Sequence, residues 1–257
     1  MFTRRERQAG RSAGQSEEPG PYWKQRSWQV SAGFLGIVFV VGGIAALTSG
    51  PGDQDDRGSQ VTVEGPLSGD PAPANGRPRG CRTDDSAGDA LPEAAPKDVE
   101  WRPLGVSRVP VSGTAGPTRI EKNLWWCFAH TPTGAALAAH VIPSQMSGSG
   151  WRTVAGQQVV AGRGRDLFEF TRATVQDTDV PDGSTPVASY AGFTVTSYTT
   201  EAATVRLLMK TDQGYAATAI ALRWSGGDWK VLPGEDGSLH SKVSTVQGPG
   251  GFVLWGS

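Results

Sequence analysis

The stretch that most limits what this 257-residue chain can become is the uncharged run between Arg26 and Asp53. Within it, Ala32 to Leu47 is an apolar core, with Trp28 on one side and Thr48-Ser-Gly50 on the other. At 1.5 Å per residue, a helix from Trp28 to Gly50 spans roughly 34 Å, enough for a hydrocarbon core of about 30 Å. The run therefore predicts a single membrane span over 28–50, and the rest of the chain must fold on one side of it or the other.

The flanks set the direction. Arg4, Arg5, Arg7, Arg11, Lys24 and Arg26 precede the run, whereas Asp53, Asp55 and Asp56 follow it with only Arg57 opposing them. Basic residues close to a span stay on the cytoplasmic side, so the sequence predicts a cytoplasmic N-terminal tail over 1–27 and about 200 residues outside. A cleaved secretory signal is the competing reading. Its basic leader would be 26 residues long, and no A-x-A triplet follows the apolar core, so an uncleaved anchor in the cell membrane fits the sequence better. Gly42, Ala46 and Gly50 recur at four-residue spacing, a small-residue face of the kind that lets two spans pair.

From Gly50 to Pro96 the chain has no aromatic residue, and Val61, Val63, Leu67 and Leu91 stand isolated among Gly, Pro, Asp and Ser. Such a composition buries too little apolar surface to offset its ordering entropy. Residues 51–97 are therefore expected to form a flexible linker with a root-mean-square reach on the order of 35–40 Å. Beyond Gly50 there are 22 acidic and 18 basic side chains, a net charge of −4, which disfavours direct contact with nucleic acid. Arginine outnumbers lysine 18 to 6, in keeping with a GC-rich bacterial genome.

Aromatics return at Trp101, and 15 of the 21 lie from there onward, so one folded unit is expected over 98–257. Gly105 to Val111 reads as a short β-like piece between prolines. Leu124 to His130 is an apolar run, followed by Thr131-Pro132 as a helix cap with proline at the first helical position. The helix then runs through Ile142 until Pro143 and the Ser/Gly cluster stop it, its alanines allowing close approach to a sheet. Further helices are expected from Trp151 and over Asp166–Ala173. The last third alternates with period two through Phe193–Ser197, Val205–Met209 and Ala216–Trp224, with turns at Asp212-Gln-Gly214 and Ser225-Gly-Gly-Asp228 and a return strand Trp229–Leu232. Helices first and an antiparallel meander afterwards predict an α+β fold, helices packed on one face of a curved sheet.

The order Phe128-Ala-His-Thr-Pro-Thr-Gly-Ala-Ala-Leu-Ala-Ala139, Ala191-Gly-Phe-Thr-Val-Thr-Ser-Tyr198 and Leu222-Arg-Trp-Ser-Gly-Gly-Asp-Trp-Lys-Val231 resembles the cone-shaped fold of the nuclear transport factor two-like superfamily. With its anchor and linker, the chain is similar to membrane-anchored proteins of actinobacterial conjugative elements, which resemble the bitopic scaffold component of type IV secretion systems. The resemblance extends to the closing Gly251-Phe-Val-Leu-Trp-Gly256. It implies a non-catalytic assembly subunit that contacts the membrane, other transfer-apparatus subunits and copies of itself.

Residue by residue, enzyme chemistry finds few candidates. Three histidines are present. His130 and His140 lack the i, i+4 spacing of a zinc helix, and read as a structural residue near a helix start and a helix-surface residue. No G-x-S-x-G elbow or P-loop occurs, and Gly162-Arg-Gly-Arg-Asp-Leu misses the sixth position of a dinucleotide fingerprint. Asp166 and Glu169 share a helix face and read as solvated charges before an acid/base pair. No catalytic residue, metal ligand or cofactor is expected; an envelope enzyme and a small-ligand module at the mouth of the sheet are the alternatives. The inward positions Phe193, Val195, Val205, Leu207, Ile220 and Leu222 look like filling for such a mouth.

Two cysteines, Cys81 and Cys127, would both lie outside, where disulfides persist. A bridge between them closes a loop of about 47 residues, worth about 4 kcal/mol in the loop-entropy model. Cys127, within Trp-Trp-Cys-Phe, reads equally as a buried apolar side chain. The adjacent Trp125 and Trp126 point to opposite faces in a strand, which makes them candidates for a contact surface as well as for the core.

Overall fold

A computed structural model of the chain describes residues 65–67, 76–175, 177 and 189–256. The span over 28–50, with Gly42, Ala46 and Gly50, and the tail over 1–27 lie outside the described residues. Among the described residues no helix is long and apolar enough to cross a membrane.

The fold is α+β. Strands β1 (Val99–Leu104) and β2 (Ser107–Ser112) form a hairpin, and β3 (Arg119–Glu121) and β4 (Leu124–Trp126) form a second. Three helices follow: α1 (Pro132–Ser144), α2 (Trp151–Gln158) and α3 (Arg163–Arg172). The main sheet is an antiparallel meander of β5 (Ser189–Tyr198), β6 (Ala202–Thr211), β7 (Gly214–Ser225) and β8 (Asp228–Val231), with β9 (Ser244–Val246) on β7 and β10 (Val253–Leu254) on β5.

Period-two alternation builds this sheet. Val205, Leu207, Ile220 and Leu222 share one face through the pairs Val205↔Ile220, Leu207↔Thr218 and Ala203↔Leu222, and with Phe193 they are almost wholly buried. Helix α1 lies across that face. Its other side is covered by β2, so every residue from Gly134 to Ile142 is buried. Four alanines make this close packing sterically cheap, and Thr131 caps the helix by accepting the Gly134 N–H at 3.2 Å. Gly134 itself is required by contact, since a Cβ there would lie 2.0 Å from the Ala129 carbonyl oxygen.

Several boundaries differ from expectation. Pro143 does not stop α1, which continues to Ser144 and on into a 3₁₀ turn over Gln145–Ser147; in the last turn its missing N–H costs one bond only. Helix α3 starts at Arg163 rather than Asp166. Gly162, at φ 139°, breaks the chain just before it, and Gly164 lets the Pro233–Gly234 backbone approach to within 2.7 Å of a Cβ position. The β-like piece is the return half of a hairpin whose outgoing strand starts at Val99.

The largest difference is at the N-terminal side of the domain. The linker expected over 51–97 is not free of the domain throughout: Leu67, Arg77 and Cys81 are buried, and residues 76–98 run along the folded unit as an arm. Leu67 donates its N–H to Gln157 Oε1 at 2.8 Å. The arm has too little apolar surface to form a core of its own, and it is held by partners distant in sequence.

Candidate functional site

A buried polar cluster forms where the arm meets the start of α1. It begins with a backbone break. At Cys127 the chain leaves β4 with φ 71°, a left-handed conformation uncommon for a residue with a side chain. The turn frees the N–H groups of Cys127 and Phe128, and the Asp228 carboxylate accepts both, at 2.7 and 2.9 Å, together with its neighbour Trp229 N–H at 3.0 Å. Asp228 is placed there by the Gly226-Gly227 turn of the β7–β8 hairpin, both glycines having positive φ. It is fully buried. Burial pushes its carboxyl up to about 6, while the N–H groups of Phe128 and Cys127 and the charge of Arg77 pull it down.

Arg77 brings the arm into the cluster. Its guanidinium donates to the Phe128 carbonyl at 2.9 Å, to the Gly227 carbonyl at 3.4 Å and to Thr83, and lies 4.9 Å from the Trp224 ring centroid. Four residues along, Cys81 is joined to Cys127 by a disulfide, with the Cα atoms 5.3 Å apart. The His130 ring stacks on Trp224 at 3.8 Å, and its backbone N–H donates to Asp85 of the arm at 2.9 Å. Trp229 Nε1–H donates to the Ala129 carbonyl at 2.9 Å. Tyr198 O–H donates to the His130 carbonyl at 3.2 Å, and burial with the nearby charges of Asp89 and Asp85 pushes its phenol up to about 12.

Chemically, this cluster is a clasp. The carboxylate is occupied by three N–H groups, the guanidinium by carbonyls, a hydroxyl and an indole face, and both sulfurs by each other. Its effect is to fix the arm to the β7–β8 hairpin and to the entrance of α1.

A second buried polar group sits at the other end of α1. His140 is not on the helix surface as expected: it is wholly buried among Tyr190, Phe193 and Trp255. Its Nδ1 lies 2.7 Å from the Ala136 carbonyl and its Nε2 accepts from Trp255 Nε1–H at 3.1 Å, a pattern satisfied by neutral imidazole with the proton on Nδ1. Burial lowers its pKa to about 4. The helix-surface reading failed because α1 is covered from both sides, by the sheet and by residues over a hundred positions away.

The remaining candidates are dispersed. Trp126 is buried in the core, whereas Trp125 is half-buried, its backbone N–H donating to Gln145 and its carbonyl accepting from Gln158, each at 2.8 Å. Opposite sides of one strand account for the difference, and only Trp125 offers any surface. Asp166 is exposed, and Glu169 faces Arg165 with Nε and Oε1 3.7 Å apart. Among the described residues no three His, Cys, Asp or Glu side chains are gathered as metal ligands. Asp228 and Arg77, the centre of the clasp, were missed from sequence; the one available signal was the hairpin turn Ser225-Gly-Gly-Asp228, which gives no hint of a partner 100 residues earlier.

A family model matches residues 62–254, and its description is Domain of unknown function (DUF8175). The match starts well ahead of Val99 and so takes in the arm. No curated protein and no solved structure matches the chain.

Proposed function

Because the chain belongs to the DUF8175 family, whose description carries no activity, we propose from its own residues that it is a membrane-anchored, non-catalytic assembly subunit of a conjugative, type IV secretion-like transfer apparatus. The finer fold reading that goes with this is a nuclear transport factor two-like cone. It is supported by an antiparallel meander with α1 across its apolar face and by register shifts at Tyr190/Gly192 and Val195/Ser197, β-bulge positions of the kind that increase local twist.

The single observation that carries the reading is the uncharged run from Arg26 to Asp53, basic before and acidic after, which supports a span that would hold a folded unit at one side of a membrane. The Cys81–Cys127 bridge supports the same side, since such bonds persist in oxidising surroundings. Work of this kind needs contact surfaces and a rigid mount, and the clasp supplies rigidity where the domain begins.

Cross-linking in intact host cells, followed by identification of the captured proteins, tests the proposal. Recovery of transfer ATPases or channel subunits is the expected result. A protein that captures none of them in cells actively transferring DNA would sink it.

A further inference from the structure

The first hairpin ends in an open edge, and its two prolines show how that edge is turned. β2 is the half that packs on α1 and β5, while among the described residues β1 is hydrogen-bonded to no strand but β2. Antiparallel strands alternate between pairs that exchange backbone bonds and pairs that do not. Pro103 and Pro110 have no N–H, and the register sets them opposite Arg108 and Trp101. Both pairs are therefore of the unbonded kind, and the tight turn Gly105-Val106 agrees, because it makes Leu104↔Ser107 a bonded pair. Val99, Trp101 and Pro103 thus direct their backbone groups outward from β1. Among the described residues neither the Val99 nor the Trp101 N–H has an acceptor. The Trp101 carbonyl accepts an exposed bond from Arg108 at 3.3 Å, which leaves its second lone pair open.

The charges along this edge are complementary to themselves. Glu100 and Arg102 flank Trp101 on one face of β1, both exposed and 3.2 Å apart. A second β1 laid antiparallel beside the first, with Trp101 on the two-fold axis, puts each Glu100 opposite an Arg102 of the other copy. The two Trp101 residues then exchange N–H to carbonyl bonds, and each Val99 N–H meets the Pro103 carbonyl of the other copy. Every free donor of both edges is satisfied, and the charges alternate in sign around the axis. Other registers do not fit. A two-fold at Glu100 or at Arg102 sets like charges opposite each other, one at Val99 sets Asp98 against Glu100, and one at Pro103 has no N–H at its centre.

We infer that two copies of this chain pair edge to edge through β1, antiparallel about Trp101, and join their hairpins into one four-stranded sheet in the order β2-β1-β1-β2. An open edge accepts any extended segment by its backbone alone. The order Glu-Trp-Arg selects a second copy, because its own reverse supplies the opposite charge at each position. Pro103 keeps the bonding stretch short and so protects the edge from longer, indiscriminate pairing. The contact closes on a two-fold axis and stops at two copies. It does not rest on the transfer apparatus: its failure leaves that proposal intact, and the reverse also holds.

The test is disulfide trapping in the full-length chain, co-expressed as two differently tagged copies, one carrying Glu100→Cys and the other Arg102→Cys. In the inferred register these positions face each other with Cα atoms about 4.5 Å apart, within reach of a disulfide. Mild oxidation should give a mixed covalent dimer on a non-reducing gel. Copies carrying Pro103→Cys, about 14 Å apart in the same register, should give none. Both measurements use exposed side chains, and near-UV circular dichroism checks that each variant is folded. The charges are tested on Trp101→Cys copies, which meet at the axis. Their cross-linking should fall about tenfold when Glu100→Lys is added, and return when those copies are mixed with copies carrying Trp101→Cys and Arg102→Glu. If Trp101→Cys does not fold, the first pair of variants decides. No mixed dimer overturns the inference and leaves the edge to a foreign strand. Equal yield from Pro103→Cys overturns it too, as contact through the span or by collision, and so does cross-linking that Glu100→Lys leaves unchanged.

Discussion

His140 shows how much one buried side chain can couple this fold to pH. Its neutral form satisfies both ring nitrogens, and burial holds its pKa near 4 against an ordinary value of 6.5. The unfolded chain takes up a proton at this residue near pH 6.5 and the folded chain does not until about 4. Stabilisation by His140 is therefore complete above pH 6.5 and is lost as pH falls from 6.5 towards 4, by roughly 3 kcal/mol over that window. Asp228, raised to about 6, acts in the opposite direction over much of the same range, so the wild-type profile alone is a poor reporter. The difference between wild type and His140→Phe isolates the histidine. At pH 8 the variant, which leaves Trp255 Nε1–H unpaired, should be less stable by about 1–3 kcal/mol in urea unfolding. By pH 5 that gap should narrow or reverse; a gap independent of pH would show that His140 is not held neutral.

At the scale of elements, the arm over 76–98 depends on contacts that reach across the chain. Removing the bridge with Cys81→Ala and Cys127→Ala should cost about 2–4 kcal/mol, the range for closing a loop of this length, and should loosen the arm before the sheet. Limited trypsin digestion reads this directly: cleavage after Arg79, Arg82 or Lys97 should become fast in the double variant while fragments covering β5 to β8 persist. Equal protection in both proteins would mean that Arg77 and Asp85 hold the arm unaided. This dependence also explains what could be read in advance. The strands β5 to β7 are legible because alternation is local, and so is the start of α1, where Thr131 and Pro132 are adjacent to what they cap. The arm reads as a tether because it has no aromatics, and its order comes from Cys127, Phe128 and Gly227, which no local pattern links to it. His140 and Pro143 mislead for a related reason: burial all round a helix is a property of what surrounds it.

For the molecule as a whole, the proposed topology makes a prediction of its own. Protease added to intact spheroplasts should remove a tag placed after residue 257 and spare one placed before residue 1 until the membrane is breached; the opposite pattern would invert the orientation drawn from Arg26 and Asp53. The fold also has an order of completion. Trp255 supplies a hydrogen bond and a ring face to His140, 115 positions earlier, and β10 beside it pairs with the outer edge of β5. While the polypeptide is still being synthesised, α1 can exist and the meander can form, but the imidazole lacks its acceptor role and one wall of its pocket. The final structure is therefore reached only once Trp255 has been made, and a nascent chain stalled short of residue 255 would present an unfinished core to the cell's quality control.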